Sequence, residues 1–230
     1  MKRLTLGIVL IALALGGAGC FERARDRVVH NFAPQHAITN WSRDARFNRL
    51  GIRRVAVLPF VDHSRYTEAS PRLTEAFATE LRKTRKFDVS VVERQAPLAN
   101  LAATNATFDA VEARLLGETL NVDAILLGSI VEYEPYRPLA IGLHVVMIDT
   151  RSGQVVWTVD ETLDTSELAV ANLVRQYYDD VVDPNASQFR GDRVLVSMRA
   201  FARCVCYHFV RTLDRPLSAA PQSEAVPGAP

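Results

Sequence analysis

Apolar positions along this chain change their period from segment to segment, and each period predicts an element. Val55-Ala56-Val57-Leu58-Pro59-Phe60-Val61, behind Arg53-Arg54, is a short β-branched and aliphatic run. It predicts a buried strand over 53–61, with Pro59 marking its end or an edge. Asp62 to Glu68 is polar and reads as a loop. Ser70-Pro71 offers an N-cap followed by proline at the first helical position. Leu73, Phe77 and Leu81 then repeat every four residues, a helix that ends on the basic stretch Arg82–Lys86. Phe87 to Glu93 predicts a second strand, with Phe87, Val89 and Val91 on one face. Arg94 to Ala103 reads as a short helix. Asp109 to Asn121 reads as a better one, with Val111, Leu115, Leu116 and Leu120 at helical spacing. Gly117 inside it marks close packing or a tight approach.

Asp123 to Tyr136 and Leu139 to Asp149 predict two longer strands. Thr150-Arg151-Ser152-Gly153 is a turn in which Gly153 supplies a positive φ. Gln154 to Leu163 completes the hairpin. Strict alternation puts Val156, Thr158 and Asp160 on one face and Val155, Trp157 and Val159 on the other. Ser166 to Tyr178 reads as a helix and Asp179 to Gln188 as a polar loop. Arg190 to Leu213 reads as a long helix with the stripe Val194, Met198, Phe201, Val205 and Phe209. From Asp214 to Pro230 the chain is rich in Pro, Ala and Ser and offers no core positions, so it reads as disordered.

The predicted order is β-α-β-α-β-β-β-α-α, without internal repeats. Strands separated by helices pair in parallel through right-handed crossovers, and the last three, joined by short turns, pair antiparallel. The fold class is therefore α/β, a mixed β-sheet with helices packed on it. Residues 51–213 form the domain, 20–50 a tether whose apolar residues Phe32, Ile38, Trp41, Phe47 and Leu50 pack onto it, and 214–230 a tail.

The N-terminus changes the compartment. Lys2-Arg3, the apolar run Leu4 to Ala18, and Gly19-Cys20 have the layout of a secretory signal. The run is too short for a membrane span, which needs about 20 apolar residues. Ala18-Gly19-Cys20 fits the end of a bacterial lipoprotein signal, in which Cys20 is acylated and becomes the first residue, making 1–19 the signal peptide. Gly17 departs from the aliphatic residue usual there. The competing reading is ordinary cleavage after Ala18. Phe21 rather than Asp after the cysteine favours the outer membrane, on its periplasmic face.

Composition adds exclusions. With 48% hydrophobic and 23% charged residues the chain is not a disordered one. A formal net charge of +1 gives no basic excess for nucleic acid, so no nucleic-acid partner is expected. Removing Lys2 and Arg3 with the signal brings +1 to −1. Cys204 and Cys206, two apart on a predicted helix, point to different faces and read as two small buried hydrophobes rather than a disulfide. The histidines His30, His36, His63, His144 and His208 are dispersed, and no metal or cofactor motif occurs, so neither is assigned. Asp62-His63-Ser64 contains triad residue types, but neighbours in sequence rarely assemble a triad, and a solvated turn is the simpler reading. Tyr133, Tyr136, Tyr177 and Tyr178 are the richest aromatic material beside loops and form a candidate partner surface, because tyrosine is enriched at protein interfaces.

Together these segments resemble a known family. Val55-Ala56-Val57-Leu58-Pro59-Phe60, Val91-Val92-Glu93-Arg94, Leu116-Gly117-Glu118-Thr119-Leu120-Asn121-Val122-Asp123-Ala124, Leu127-Gly128-Ser129-Ile130 and the hairpin Val145 to Trp157 resemble, in order and spacing, the curli-assembly lipoprotein family (CsgG-like). Related lipoproteins, including LpoB-type peptidoglycan-synthase activators, share a similar domain. The resemblance covers roughly Arg53 to Leu163. It implies a periplasmic α/β domain on an envelope lipoprotein, with envelope protein partners or self-association into a homo-oligomer. Channel-forming members insert a membrane hairpin between the third and fourth strands of the pattern. Here that connection is only Glu134-Pro135-Tyr136-Arg137-Pro138, too short for strands of about 9–11 residues. The resulting expectation is a non-enzymatic, lipid-anchored interaction or assembly module. An oligomeric secretion channel is the alternative, and an envelope hydrolase using His63 a distant one.

Overall fold

The computed structural model describes residues 34–93, 110–182 and 194–216. The signal run 1–19, Cys20, the helix read over 94–103, most of the loop 179–188, the beginning of the helix read over 190–213 and residues 217–230 of the tail lie outside the described residues. Strands β1 (Trp41–Arg43), β2 (Arg54–Val57), β3 (Val61–Asp62), β4 (Asp88–Val91), β5 (Ala124–Glu134), β6 (Ala140–Asp149) and β7 (Val155–Asp164) form one sheet, accompanied by helices α1 (Ala69–Lys83), α2 (Ala110–Leu120), α3 (Leu168–Tyr177) and α4 (Met198–Arg211). The sheet order is β1-β7-β6-β5-β2-β4, with β3 also beside β5. β2 pairs in parallel with β4 and β5, and β3 in parallel with β5. β5, β6, β7 and β1 are antiparallel. The protein is thus mixed α/β.

Alternation along the central strands sorts the core into two layers. Val55 and Val57 of β2 and Leu126 of β5 join Leu73 and Phe77 of α1, Val174 of α3 and Phe201 and Phe209 of α4. Ala56, Leu58, Ile125 and Leu127 point the other way, onto Ala113 and Leu116 of α2. Strands buried on both faces read as continuous apolar runs, which is why 55–58 and 124–127 do not alternate in polarity. Gly117 lets α2 approach the β6–β7 turn: a Cβ there would lie 2.5 Å from Cβ of Thr150. Gly153 has the expected positive φ of 69°.

Several elements differ from the pattern-based expectation. The strand read over 53–61 is two: Leu58 N–H still donates to Leu126 O at 3.0 Å, but Pro59-Phe60 steps out of the ladder, and proline has no N–H to donate. Side chains of α1 replace the lost ladder bonds. Phe60 N–H donates to Thr74 Oγ1 at 2.9 Å, and the Ser70 hydroxyl donates to Phe60 O at 2.6 Å. Ser70 is therefore inside the first turn of α1, which starts at Ala69, and does not cap it.

The alternation read over 154–163 fails at Val156. Ile148 pairs with Val155 while Met147 pairs with Trp157, so Val156 is an extra residue and is buried in the same layer as Trp157. Within the helix read over 190–213, residues 195–197 break the described part, and α4 starts at Met198, where the Ser197 side chain accepts from Ala200 N–H. Of the spacing read on α2, Val111 and Leu115 face outward and Ala113, Leu116 and Gly117 are buried.

Residues 38–50, given to the tether by pattern, are built into the fold. Ile38, Trp41 and Phe47 are core residues, and β1 pairs with β7 through Trp41↔Val159.

Candidate functional site

Among the described residues no group of three His, Cys, Asp or Glu side chains is placed to hold a metal ion, and no helix is long and apolar enough to cross a membrane. Asp62-His63-Ser64 forms a local turn: Asp62 Oδ1 accepts from Ser64 N–H at 2.8 Å, and Ser64 Oγ accepts from Tyr66 N–H at 3.1 Å. The hydroxyl and carboxylate a triad needs are both engaged by backbone. His144 Nδ1 meets Asp160 across β6 and β7 at 3.3 Å on the outer sheet face. Cys204 and Cys206 are free and buried, and burial pushes both thiols up, away from the reactive thiolate.

The turn after β3 does bring an aromatic cluster together. β3 runs parallel beside β5, which carries the following loop to the end of β5. Tyr66 then packs between Tyr133 and Tyr136, with ring centroids 5.8 Å and 6.4 Å away. The Arg65 guanidinium lies 5.1 Å from the Tyr66 ring centre and donates to its hydroxyl at 3.0 Å. It also faces Glu134 at 3.8 Å. Glu134 Oε1 accepts from Tyr136 N–H at 3.2 Å, which holds the start of the β5–β6 connection.

Exposure divides this cluster. Tyr136 is 70% exposed and Tyr133 only 4%. The Tyr133 hydroxyl is buried without a hydrogen-bond partner of good geometry. Burial pushes its pKa up, against the pull of the neighbouring Arg72 guanidinium. The corner thus has a buried aromatic base, Tyr133, a half-buried Tyr66 on it, and an exposed rim, Arg65 and Tyr136. A partner side chain entering there meets ring faces, a cation and a carboxylate.

The other two tyrosines of the expected surface are elsewhere. Tyr177 is 4% exposed, packed on Tyr207 and His208 of α4 at 5.0 Å and 6.0 Å, and its phenol is pushed up chiefly by burial. Tyr178 is half-buried. Tyr133 interacts with Glu68 and Arg72 at the start of α1, Tyr177 with Glu80 near its end. Those positions lie about 12–18 Å apart along a helix rising 1.5 Å per residue. A single surface of Tyr133, Tyr136, Tyr177 and Tyr178 does not form, because Tyr133 and Tyr177 each occupy an inward position of their own element. Tyr66 was hidden in a loop read as solvated. Only the β3–β5 pairing brings it to the corner, and a two-residue strand carries no periodic signal.

No family model matches the chain, and no curated protein matches it in sequence. Solved structures are similar to parts of it at low identity. A PelC dodecamer subunit from Paraburkholderia phytofirmans is 13% identical, with a TM-score of 0.40, over 77% of this chain and 93% of that one. The lipoprotein GNA1162 from Neisseria meningitidis is 16% identical, with a TM-score of 0.36, over 48% and 79%. The LpoB C-terminal domain from Salmonella enterica is 13% identical, with a TM-score of 0.34, over 56% and 86%.

Proposed function

We propose that this protein is an envelope lipoprotein, anchored through Cys20, whose α/β domain binds another envelope protein and acts by binding rather than turnover. The observation that carries the binding role is the corner of Arg65, Tyr66, Tyr133 and Tyr136. Tyr and Arg are enriched at binding hot spots, where a rigid aromatic anchor sits over a buried base. Tyr136 is the exposed tyrosine of this cluster, and its backbone is held by Glu134.

The test is photo-crosslinking in cells from position 136, with a control position at Thr158 on the outer sheet face. Capture of a defined protein from 136 but not from 158 is the expected result. If Arg65→Ala together with Tyr66→Ala leaves that capture unchanged, the corner is not the binding site.

A further inference from the structure

From the described residues we infer a second element of the same interaction: the groove between α1 and α4 receives an acidic segment of the protein partner. This inference rests on the reading of the molecule as a protein-binding module and specifies the chemistry of what it binds.

The groove encloses about 510 Å³ and is lined by Arg72, Glu75, Ala76 and Thr79 of α1 and by Arg199 and Arg203 of α4. Its acids are already matched. Glu75 accepts from Arg82 at 3.2 Å and from the Thr79 hydroxyl at 3.3 Å. The buried Glu80 carboxylate is met by Lys83 at 2.6 Å, leaving Arg203 at a long 3.8 Å from it. Neither Arg72 nor Arg199 has a carboxylate partner among the described residues. Three guanidiniums therefore line one groove, two of them, Arg72 and Arg199, without a carboxylate partner among the described residues and the third, Arg203, only loosely paired.

The placement is unfavourable for the isolated domain. Arg199 and Arg203 stand four apart on α4, where like charges oppose helix formation. An anionic occupant removes that conflict, and the planar guanidinium fork fits a carboxylate in two-point contact. Cations strung along a furrow between two helices, with Ala76 in its lining, suit a chain of carboxylates on a peptide better than a flat lipid surface. Arg72 joins the groove to the aromatic corner, since it also approaches Tyr133. One extended partner segment reaches both.

The experiment uses the full processed chain in detergent micelles and fluorescence anisotropy. The probes are a labelled amphipathic peptide of repeating Glu-Leu-Ala-Glu, its Lys counterpart, and short-chain phosphatidylglycerol as competitor. The acidic peptide is expected to bind, to weaken with added salt, and to lose about tenfold or more in affinity with Arg199→Glu and Arg203→Glu. Both positions are exposed, but Arg203→Glu sets a like charge beside the buried Glu80, so thermal unfolding is measured alongside, and Arg199→Gln with Arg203→Gln, which removes the charges without reversing them, is expected to keep the fold and give an intermediate loss. Unchanged affinity in the reversed variant overturns the proposal, as does equal binding of the Lys peptide. Displacement of the acidic peptide by phosphatidylglycerol at lower concentration than by unlabelled peptide also overturns it, and assigns the groove to lipid phosphate. The corner is judged separately by in-cell capture at position 136, so either site can fail alone.

Discussion

Gly128 has no side chain because Phe60 needs its place. A Cβ at 128 would lie 2.5 Å from the Phe60 ring, and that ring is fully buried on α1. Gly128→Ala is expected to cost about 1–3 kcal/mol, the range for overfilling a packed site. Urea unfolding checks it, and pairing the change with Phe60→Leu must recover part of the loss, since residues in contact couple. Trp157 depends on one hydroxyl in a similar way. Its Nε1 donates to Thr212 Oγ1 at 2.9 Å, and Thr212 in turn donates to Phe209 O at 2.7 Å. Thr212→Val keeps the shape but leaves a buried indole N–H unpaired, and about 1–3 kcal/mol of stability should go with it. His208 contributes on the acid side. Burial first, then the charges of Arg215, His36 and Arg211, push its pKa down to about 4 from the ordinary 6.5. Between those values the unfolded chain binds a proton that the folded one refuses, so stability falls as pH drops from 6.5 towards 4. The full effect is on the order of 3 kcal/mol. Denaturation midpoints across this window should slope for the native chain and flatten for His208→Phe; equal slopes would assign the acid sensitivity to other groups.

At the scale of elements, β1 shows what three residues need in order to hold an edge. Glu161 of β7 takes His36 Nε2 at 2.6 Å and the backbone N–H groups of Thr39 and Asn40 at 2.9 Å and 3.3 Å. Arg43 reaches the carbonyls of Leu213 and Arg215, and Arg215 reaches that of Ile38. Glu161→Ala should therefore speed hydrogen exchange at Thr39, Asn40 and Asp160 while leaving the amides of α2 as they were; a uniform change would mean global destabilisation instead. This strap was illegible in the sequence beyond scattered apolar residues, because three residues cannot display a period and their partners lie more than a hundred positions away. The longer elements were legible for the opposite reason. β5, β6, α1 and α2 each span two or more periods, and helix-separated against turn-separated strands announced which pairs are parallel. Val156 and Ser70 were misplaced because a bulge and a side-chain bond to Phe60 O are set by neighbouring strands and helices. Of the site, Tyr133 and Tyr136 were readable at a strand end, whereas Tyr66 and the inward turn of Tyr177 required the assembled sheet and helices.

At the scale of the molecule, the two ends of the described domain are tied together, and this bears on how an anchored chain presents its corner. Arg215 donates to Ile38 O, and Arg43 to the carbonyls of Leu213 and Arg215. Pro34 O accepts from Asn172 and His36 N–H donates to Ala169 O, both on α3. α3 follows directly on the Asp164 end of β7, which pairs with Ala140 opposite Glu134 of β5. The N-terminal segment thus enters at the same end of the sheet as Tyr136. Fourteen residues from Cys20 to Pro34 span at most about 50 Å even when extended, so under the proposed anchoring Pro34, at the corner's end of the sheet, stays within that distance of any surface holding Cys20. What holds it there is chemical rather than ionic under the proposed processing, because the net charge without Lys2 and Arg3 is −1. Acyl chains at about 0.8 kcal/mol per buried CH₂ do not respond to salt as charge pairs do. Washing membranes in concentrated salt should leave the native protein in the pellet, whereas Cys20→Ser should move it to the soluble fraction and abolish fatty-acid labelling. The Cys20→Ser domain stays folded, so its capture of partner from position 136 should fall through lost proximity alone and recover when its concentration is raised. Release of the native protein by salt, or membrane retention of Cys20→Ser with unchanged labelling, would put the attachment elsewhere and remove the geometric limit on where the corner acts.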